Sequence, residues 1–161
     1  MNQRELSAIP ARPKTCAVII RLAAEELGRK IHIDPLVIAK RYRHPMDGYE
    51  LAKEIENKDA WYIDRATMED LDDMQEMVER RLIKAQKVWA DENSIQPPLA
   101  VGSRIKCNSR NEFGIIESVC TDDRHIACYA VKPEGTGHPE SLRWIVKFEN
   151  AIAAPLLAPA A

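Results

Sequence analysis

The stretch 94-SIQPPL-99 separates two kinds of sequence pattern in this chain of 161 residues. Pro97 and Pro98 have fixed backbone geometry and no N–H group, so together they end a helix and form a stiff, extended connector. Before them, apolar residues recur at steps of three and four, which predicts amphipathic helices. After them, short β-like runs alternate with turn-forming residues. The pattern therefore predicts an α+β chain with a boundary at residues 94–99.

Helix-start and helix-stop signals divide the first part of the chain into four helices. Gly28 is placed to end the first helix. Asp34, Asp47 and Asp64 are each placed as N-caps, because a carboxylate oxygen can accept a hydrogen bond from a free N–H group of the first turn. The predicted helices span residues 14–29, 35–42, 46–55 and 65–93. The last is predicted as one continuous helix of about seven turns.

The second part of the chain reads as a small β-structure. Strands are predicted near residues 100–107, 114–120, 125–132 and 142–148. Four or five short strands in so short a segment favour a small SH3-like or Tudor-like β-barrel. The predicted organisation is a flexible arm over 1–13, a helical domain over 14–93, a linker over 94–99, a barrel over 100–152 and a tail over 153–161.

Composition predicts a globular protein of the cytoplasm. Hydrophobic residues make up 45% of the chain and charged residues 30%, which excludes a disordered chain. No apolar run approaches the roughly 20 residues that span a bilayer, and the first residues lack the apolar core of a signal peptide. We therefore expect no membrane contact. The four cysteines lack paired spacing, so buried thiols are expected rather than disulfides.

Charge is segregated along the chain although the net charge is only -2. Residues 1–45 hold nine lysines and arginines against four carboxylates, whereas residues 46–80 hold four against twelve. The C-terminal residues 98–161 hold seven of each sign. A basic segment, an acidic centre and a neutral C-terminal part follow one another, which is not the overall basic balance of a dedicated nucleic-acid-binding protein.

Metal, cofactor and catalytic chemistry are not predicted. Cys107, Cys120, His125 and Cys128 are zinc-ligand residue types, but no C-x-x-C pair is present and Cys128 alternates with apolar residues as a core residue does. Cys120 and His125 flank a turn and could approach each other as nucleophile and base. No helix start or glycine-rich elbow lies near them to activate the thiol. We therefore predict a protein without enzymatic activity and without a cofactor.

The acidic centre supplies a candidate protein-binding surface. Its carboxylates recur along the fourth predicted helix, and we call them the acidic face: Glu69, Asp70, Asp72, Asp73 and Glu76. A basic protein surface could accept this face in place of a nucleic-acid backbone, which predicts an inhibitor. The alternative is a solvated face of a helix that packs through its apolar side. That apolar side could also pair with a second copy, so a homodimer is a further possibility.

A second candidate surface lies in the basic segment. Its residues are Lys40, Arg41, Tyr42 and Arg43, which we call the basic cluster. Such a group can neutralise phosphates, and the tyrosine ring could stack on a base. The helix that would then read the bases is acidic, and phosphate would repel it. A DNA- or RNA-binding regulator is therefore the alternative function to a protein-binding module.

The segment 45-PMDGYELAKEI-55, Trp61, the stretch 93-NSIQPPL-99 and Gly102 resemble an uncharacterised family of small bacteriophage and prophage proteins. The later residues 114-GII-116 and 144-WIVKFENA-151 are similar to that family too. The resemblance covers about two-thirds of the chain, and it transfers no catalytic residues. It implies a non-enzymatic accessory protein that acts in the bacterial cytoplasm and engages a host or phage macromolecule.

Overall fold

The computed structural model describes residues 10–108, 111–135 and 139–155. Within these residues the chain is α+β, with five helices followed by five antiparallel strands. It divides into two compact units: the helical unit, Arg12–Gln86, and the sheet unit, Lys87–Ala161 with Met1–Ala11. The division therefore falls inside the last helix, ahead of the predicted linker at 94–99. Most of the predicted arm and most of the predicted tail lie outside the described residues.

The helical unit is built from short helices whose N-caps follow the sequence signals. The helices are α1 Ala17–Ile31, α2 Pro35–Arg41, α3 Gly48–Asp59, α4 Arg65–Leu71 and α5 Asp73–Glu92. Asp34 and Asp64 accept backbone hydrogen bonds in the first turns of α2 and α4. Asp47 forms a reciprocal capping box with Glu50 at the start of α3. All three predicted N-caps are confirmed.

Two helices extend past the ends predicted for them. The helix α1 continues through Gly28 to Ile31 and ends where His32 takes the left-handed conformation, with φ of 59°. Gly28 has a packing role instead, since a Cβ there would lie 2.6 Å from the carbonyl oxygen of Ile33. The helix α3 likewise continues to Asp59. The prediction that Gly28 ends a helix was therefore wrong, because the close return of the chain is what requires glycine.

The predicted continuous helix over 65–93 is interrupted at Asp72. The backbone N–H of Asp72 points to the carbonyl of Glu69 in a tighter turn, and its side-chain Oδ1 accepts a hydrogen bond from the N–H of Gly48 at 2.6 Å. The interruption thus separates α4 from α5 at the point where the start of α3 packs closely. Apolar periodicity alone does not reveal it, because the apolar stripe continues through both helices.

The sheet unit is an antiparallel meander that returns to its first strand. The strands are β1 Arg104–Cys107, β2 Glu112–Val119, β3 Cys128–Pro133, β4 Trp144–Lys147 and β5 Ala151–Ala153. A single 3-10 turn, Phe148–Asn150, leads from β4 into β5. The order across the sheet is β4-β3-β2-β1-β5, so β5 pairs with β1.

The sheet is not closed into a barrel in the residues described. Closure would require the two edge strands, β4 and β5, to pair with each other, and only β3 and β1 pair with them. The strands β1 and β4 are also shorter than predicted, at four residues each. The α+β class is therefore confirmed, whereas the structure is an open five-stranded sheet where a closed barrel was predicted.

The end of α5 belongs to the core of the sheet unit. The indole of Trp89 lies parallel to the ring of Phe148 with centroids 6.5 Å apart, and its Nε1 donates to the carbonyl of Pro10. Leu99 packs on the same core, and its N–H donates to the hydroxyl of the buried Tyr129 at 2.7 Å. Residues on both sides of Pro97 are thus packed against the sheet.

Candidate binding groove in the helical unit

A groove of about 660 Å³ opens between α1, α2 and the segment that follows α2. The tight return at Gly28 brings Ile33 and Pro35 against α1, and the Asp34 cap then starts α2. The sequence of that return therefore sets α2 beside α1. We call this feature the α1–α2 groove. Its lining includes Ala17, Ile20, Arg21, Leu36, Ala39, Lys40, Tyr42, Arg43 and His44.

The floor and walls of the groove are largely apolar. Ile20 of α1 and Ala39 of α2 are half-buried there, and Leu36 in the first turn of α2 is 65% exposed. Leu36, Ile20 and Ala39 together offer a small apolar surface to a partner molecule. Tyr42 also lines the groove, and its ring is part of the core at 1% exposure.

Three exposed cations stand around this apolar surface: Arg21, Lys40 and Arg43. The guanidinium of Arg43 donates to the backbone carbonyls of Lys40 at 2.9 Å and Tyr42 at 3.0 Å, which fixes its position. Arg21 donates one bond to Glu25 at 3.2 Å. No aspartate or glutamate is among the described residues that line the groove. The described lining of the groove therefore carries positive charge and no carboxylate.

The structure separates the four residues of the basic cluster. Lys40 and Arg43 line the groove, and Arg41 instead forms a two-bonded ion pair with Asp59, at 2.6 and 2.8 Å. The ring of Tyr42 is buried, so it is not placed to stack on a base, and burial raises its pKa to about 12. Its hydroxyl lies 3.1 Å from Nδ1 of His44. Only the two exposed cations keep a position suited to the predicted role.

Arg21 and Leu36 are groove residues that sequence reasoning did not single out. Each lies on a helix of ordinary amphipathic composition, one in α1 and one in α2. Neither residue has a local signal, because the groove exists only once α2 has folded back beside α1.

The Arg41–Asp59 pair predicts a pH-dependent part of the stability. The hydrogen bonds from Arg41 hold the pKa of Asp59 below its ordinary value of 3.8. A carboxylate with a lowered pKa stabilises the folded state above its unfolded pKa, and this contribution is lost as the pH falls through the folded pKa. We therefore expect Asp59→Asn to be less stable than wild type at pH 7, with a smaller deficit at about pH 3, because the contribution begins to be lost as the pH falls below 3.8.

Urea unfolding of both proteins at the two pH values measures this difference. Glu140→Gln changes an exposed turn carboxylate of the other unit and serves as the control. Its difference from wild type is expected to be small at both pH values. A deficit in Asp59→Asn that is equally large at both pH values would contradict the assignment, because the stabilisation by a carboxylate with a lowered pKa must decrease as the pH falls below its unfolded pKa.

The acidic face is paired within the chain over much of its length. The ammonium of Lys30 bridges Asp70 at 2.7 Å and Asp73 at 2.8 Å, and these bonds raise the pKa of Lys30. Further along the surface, Arg65 lies 2.9 Å from Glu69, and Arg80 lies 4.0 Å from Glu76. Asp72 uses a carboxylate oxygen to hold the N–H of Gly48. Three cations, Lys30, Arg65 and Arg80, thus offset part of the charge of the five carboxylates.

The cysteine candidates differ in exposure, and the backbone N–H of Cys120 donates to the carbonyl of Cys128 at 2.9 Å. Cys107 and Cys128 are buried, Cys120 is half-buried and Cys16 is exposed. His125 points its Nδ1 to Asp122 at 2.8 Å, and burial followed by the charge of Asp122 raises the pKa of the Cys120 thiol. A raised pKa leaves less of the reactive thiolate. In the described part of the chain, no group of three or more potential metal ligands is found.

No helix in the described residues is both long enough and apolar enough to cross a bilayer. No family model, curated protein or solved structure matches the chain. The interpretation of the groove therefore depends on its own geometry and charge.

Proposed function

We propose that this chain is a non-enzymatic binding protein whose helical unit holds part of a macromolecular partner in the α1–α2 groove. One observation carries the proposal: an apolar floor with an exposed leucine is surrounded by cations and contains no carboxylate. Such a surface gains free energy from apolar burial and selects its partner by charge. The resemblance to small phage and prophage proteins supports an accessory role in the bacterial cytoplasm.

The groove is a better candidate than the acidic face for the main contact. A partner that binds the acidic face must compete with Lys30 for Asp70 and Asp73, and with Arg65 for Glu69. Exposed ion pairs of this kind are worth up to about 1 kcal/mol each, so exchanging one for another brings little net gain. The groove offers apolar area as well as charge. An inhibitor acting through the acidic face is therefore the second form of this proposal.

Nucleic-acid binding is a separate candidate that one observation favours. Lys40 and Arg43 are exposed on one surface, Arg21 stands close by, and no carboxylate lines the groove between them. Such a cluster can contact phosphates. Binding of an oligonucleotide that weakens steeply with salt and requires Lys40 and Arg43 would favour this candidate over a protein partner.

For the sheet unit we propose an SH3-like topology. Its strands β1 to β4 form a meander, a single 3-10 turn follows β4, and β5 returns to pair with β1. Tyr129 and Trp144, on neighbouring strands β3 and β4, pack in the core of this sheet unit. Fold alone does not assign a function, so the proposed binding role does not depend on this topology.

Affinity capture from a bacterial lysate tests the proposed function. The immobilised proteins are wild type, a groove-reversed variant (Lys40→Glu with Arg43→Glu) and a face-reversed variant (Asp70→Lys with Asp73→Lys). Asp72 is left intact because it holds Gly48. We expect partners that wild type and the face-reversed variant retain equally and that the groove-reversed variant loses by about tenfold or more, measured by quantitative mass spectrometry.

The opposite pattern would favour the acidic face, since the face-reversed variant alone would then lose its partner. If all three proteins retain the same material, or none retains more than an empty matrix, the proposed function is wrong. All four substituted side chains are exposed or half-buried, so both variants are expected to fold. Far-UV circular dichroism of each variant checks this.

A further inference from the structure

We infer that the α1–α2 groove binds a peptide segment in which an apolar side chain is flanked by carboxylates. The inference rests on the proposed binding function and goes beyond it by naming the chemistry of the partner. It follows from three features of the groove: the exposure of its apolar groups, the sign and position of its charges, and the lack of an exposed aromatic platform.

The apolar groups of the groove call for an apolar anchor. Leu36 is 65% exposed, and Ile20 and Ala39 are only half-buried beside it. Burying such surface is favourable at about 25 cal/mol per Å², which a purely charged ligand cannot exploit. The volume of about 660 Å³ lies in the usual range for pockets that enclose a small ligand or several side chains.

The charges of the groove call for carboxylates next to that anchor. Lys40 and Arg43 stand near one end of α2, and Arg21 stands on α1. The guanidinium of Arg43 is held by two backbone carbonyls, so its free nitrogens are already positioned. A carboxylate binds a guanidinium through two parallel hydrogen bonds. No acidic residue of the described lining competes for these cations.

The same groove is a poor site for single-stranded nucleic acid. Binding of this kind combines cations along the backbone with aromatic rings that stack on bases. Here the ring of Tyr42 is buried in the core, and the only other ring in the described lining is the imidazole of His44. Three cations, one of them shared with Glu25, also make a short electrostatic footprint in a chain of net charge -2. A peptide partner fits these observations better.

Selection from a displayed library of random 12-residue peptides tests the inference on the full chain. Wild type is compared with the groove-reversed variant and with Leu36→Ser, which removes the exposed apolar contact without adding a charge beside the cations. The matched control is Lys58→Glu with Lys84→Glu, which makes the same charge change at exposed positions of the helical unit that do not line the groove. A pool of random 30-nucleotide single strands is passed over the same four proteins.

We expect wild type and the control to enrich peptides that contain leucine, isoleucine, methionine or phenylalanine together with aspartate or glutamate. A selected peptide, labelled for fluorescence anisotropy, should bind the groove-reversed variant and Leu36→Ser about tenfold more weakly or worse. One variant changes the charge of the groove and the other changes its apolar contact. Weaker binding that stems from poor folding of one variant can therefore be recognised by comparison with the other.

Four results would overturn the inference. Enriched peptides that lack carboxylates, or groove-dependent retention of the oligonucleotides, would refute the named chemistry while the proposed binding function stands. Enrichment that persists in the groove-reversed variant would place the contact elsewhere. Absence of groove-dependent enrichment in both libraries would refute the inference outright, and lysate capture then decides the proposed function independently.

Discussion

Replacing Gly48 with alanine is expected to lower the free energy of unfolding by about 3 kcal/mol. A Cβ at this position would lie 2.5 Å from the backbone nitrogen of Asp72 and 2.6 Å from the carbonyl oxygen of Met68. Both are backbone atoms, so neither can move aside without shifting the turn between α4 and α5. The substitution also threatens the 2.6 Å hydrogen bond from the N–H of Gly48 to Asp72.

Helix propensity predicts the opposite sign for this substitution. Gly48 is the first residue of α3, and alanine is favoured over glycine inside a helix by roughly 0.5–1 kcal/mol. The steric cost is larger because two contacts fall well below the distances that real Cβ atoms adopt. Destabilisation therefore wins, and its size reports how closely the start of α3 packs on the turn at Asp72.

Urea unfolding and amide hydrogen exchange together measure this effect. Loss of protection should concentrate at Leu51 and Ile55, which are buried in the helical unit. Tyr49→Ala changes the next residue, which is 58% exposed, and should shift the free energy by no more than about 0.5 kcal/mol. A stabilised Gly48→Ala protein would mean that α3 does not approach Asp72 as closely as the structure has it.

The parts of the fold that the sequence predicts are those that local chemistry determines. Asp34, Asp47 and Asp64 each cap a helix within three residues of their own position, so their roles can be read from neighbouring residues. Gly28 and Gly48 could not be interpreted in the same way. Both are glycine because another segment of backbone comes close, at Ile33 for the first and at Asp72 for the second.

The candidate site shows the same limit. Lys40 and Arg43 were predicted as binding residues and do line the groove, whereas Arg41 between them pairs with Asp59, eighteen positions away. No local pattern distinguishes the three cations, because the distinction depends on which side of α2 packs against the end of α3. The acidic face was likewise predicted from spacing alone, and its pairing with Lys30 depends on a contact across 40 residues or more.

The position of the boundary between the units leads to the second large effect. The helix α5 ends at Glu92, and Ser94 follows in the left-handed conformation with φ of 49°, so the helix ends before Pro97 and Pro98 and not at them as predicted. The last turns of that helix already belong to the sheet unit. Trp89 lies in these last turns, and it is 7% exposed within the core of the sheet unit. A helical residue before the prolines thus contributes to the stability of the strands after them.

Replacing Trp89 with alanine is therefore expected to lower the free energy of unfolding of the sheet unit by about 4 kcal/mol. The change removes the parallel contact with Phe148 and leaves the carbonyl of Pro10 without the donor it has at 2.8 Å. Since small domains are stable by only about 5–15 kcal/mol, this loss takes a large share of the total. Hydrogen exchange should show it at Ile116 and Val131, which are buried on β2 and β3.

Val88→Ala is the matched control for this prediction. Val88 is the preceding residue of the same helix and is 47% exposed, so its truncation should cost no more than about 0.5 kcal/mol. Any effect on helix formation is shared by the two variants, because both place alanine in the last turns of α5. If Trp89→Ala leaves the strands as well protected as Val88→Ala does, the sheet is stable without the end of α5, and the structural boundary returns to the two prolines.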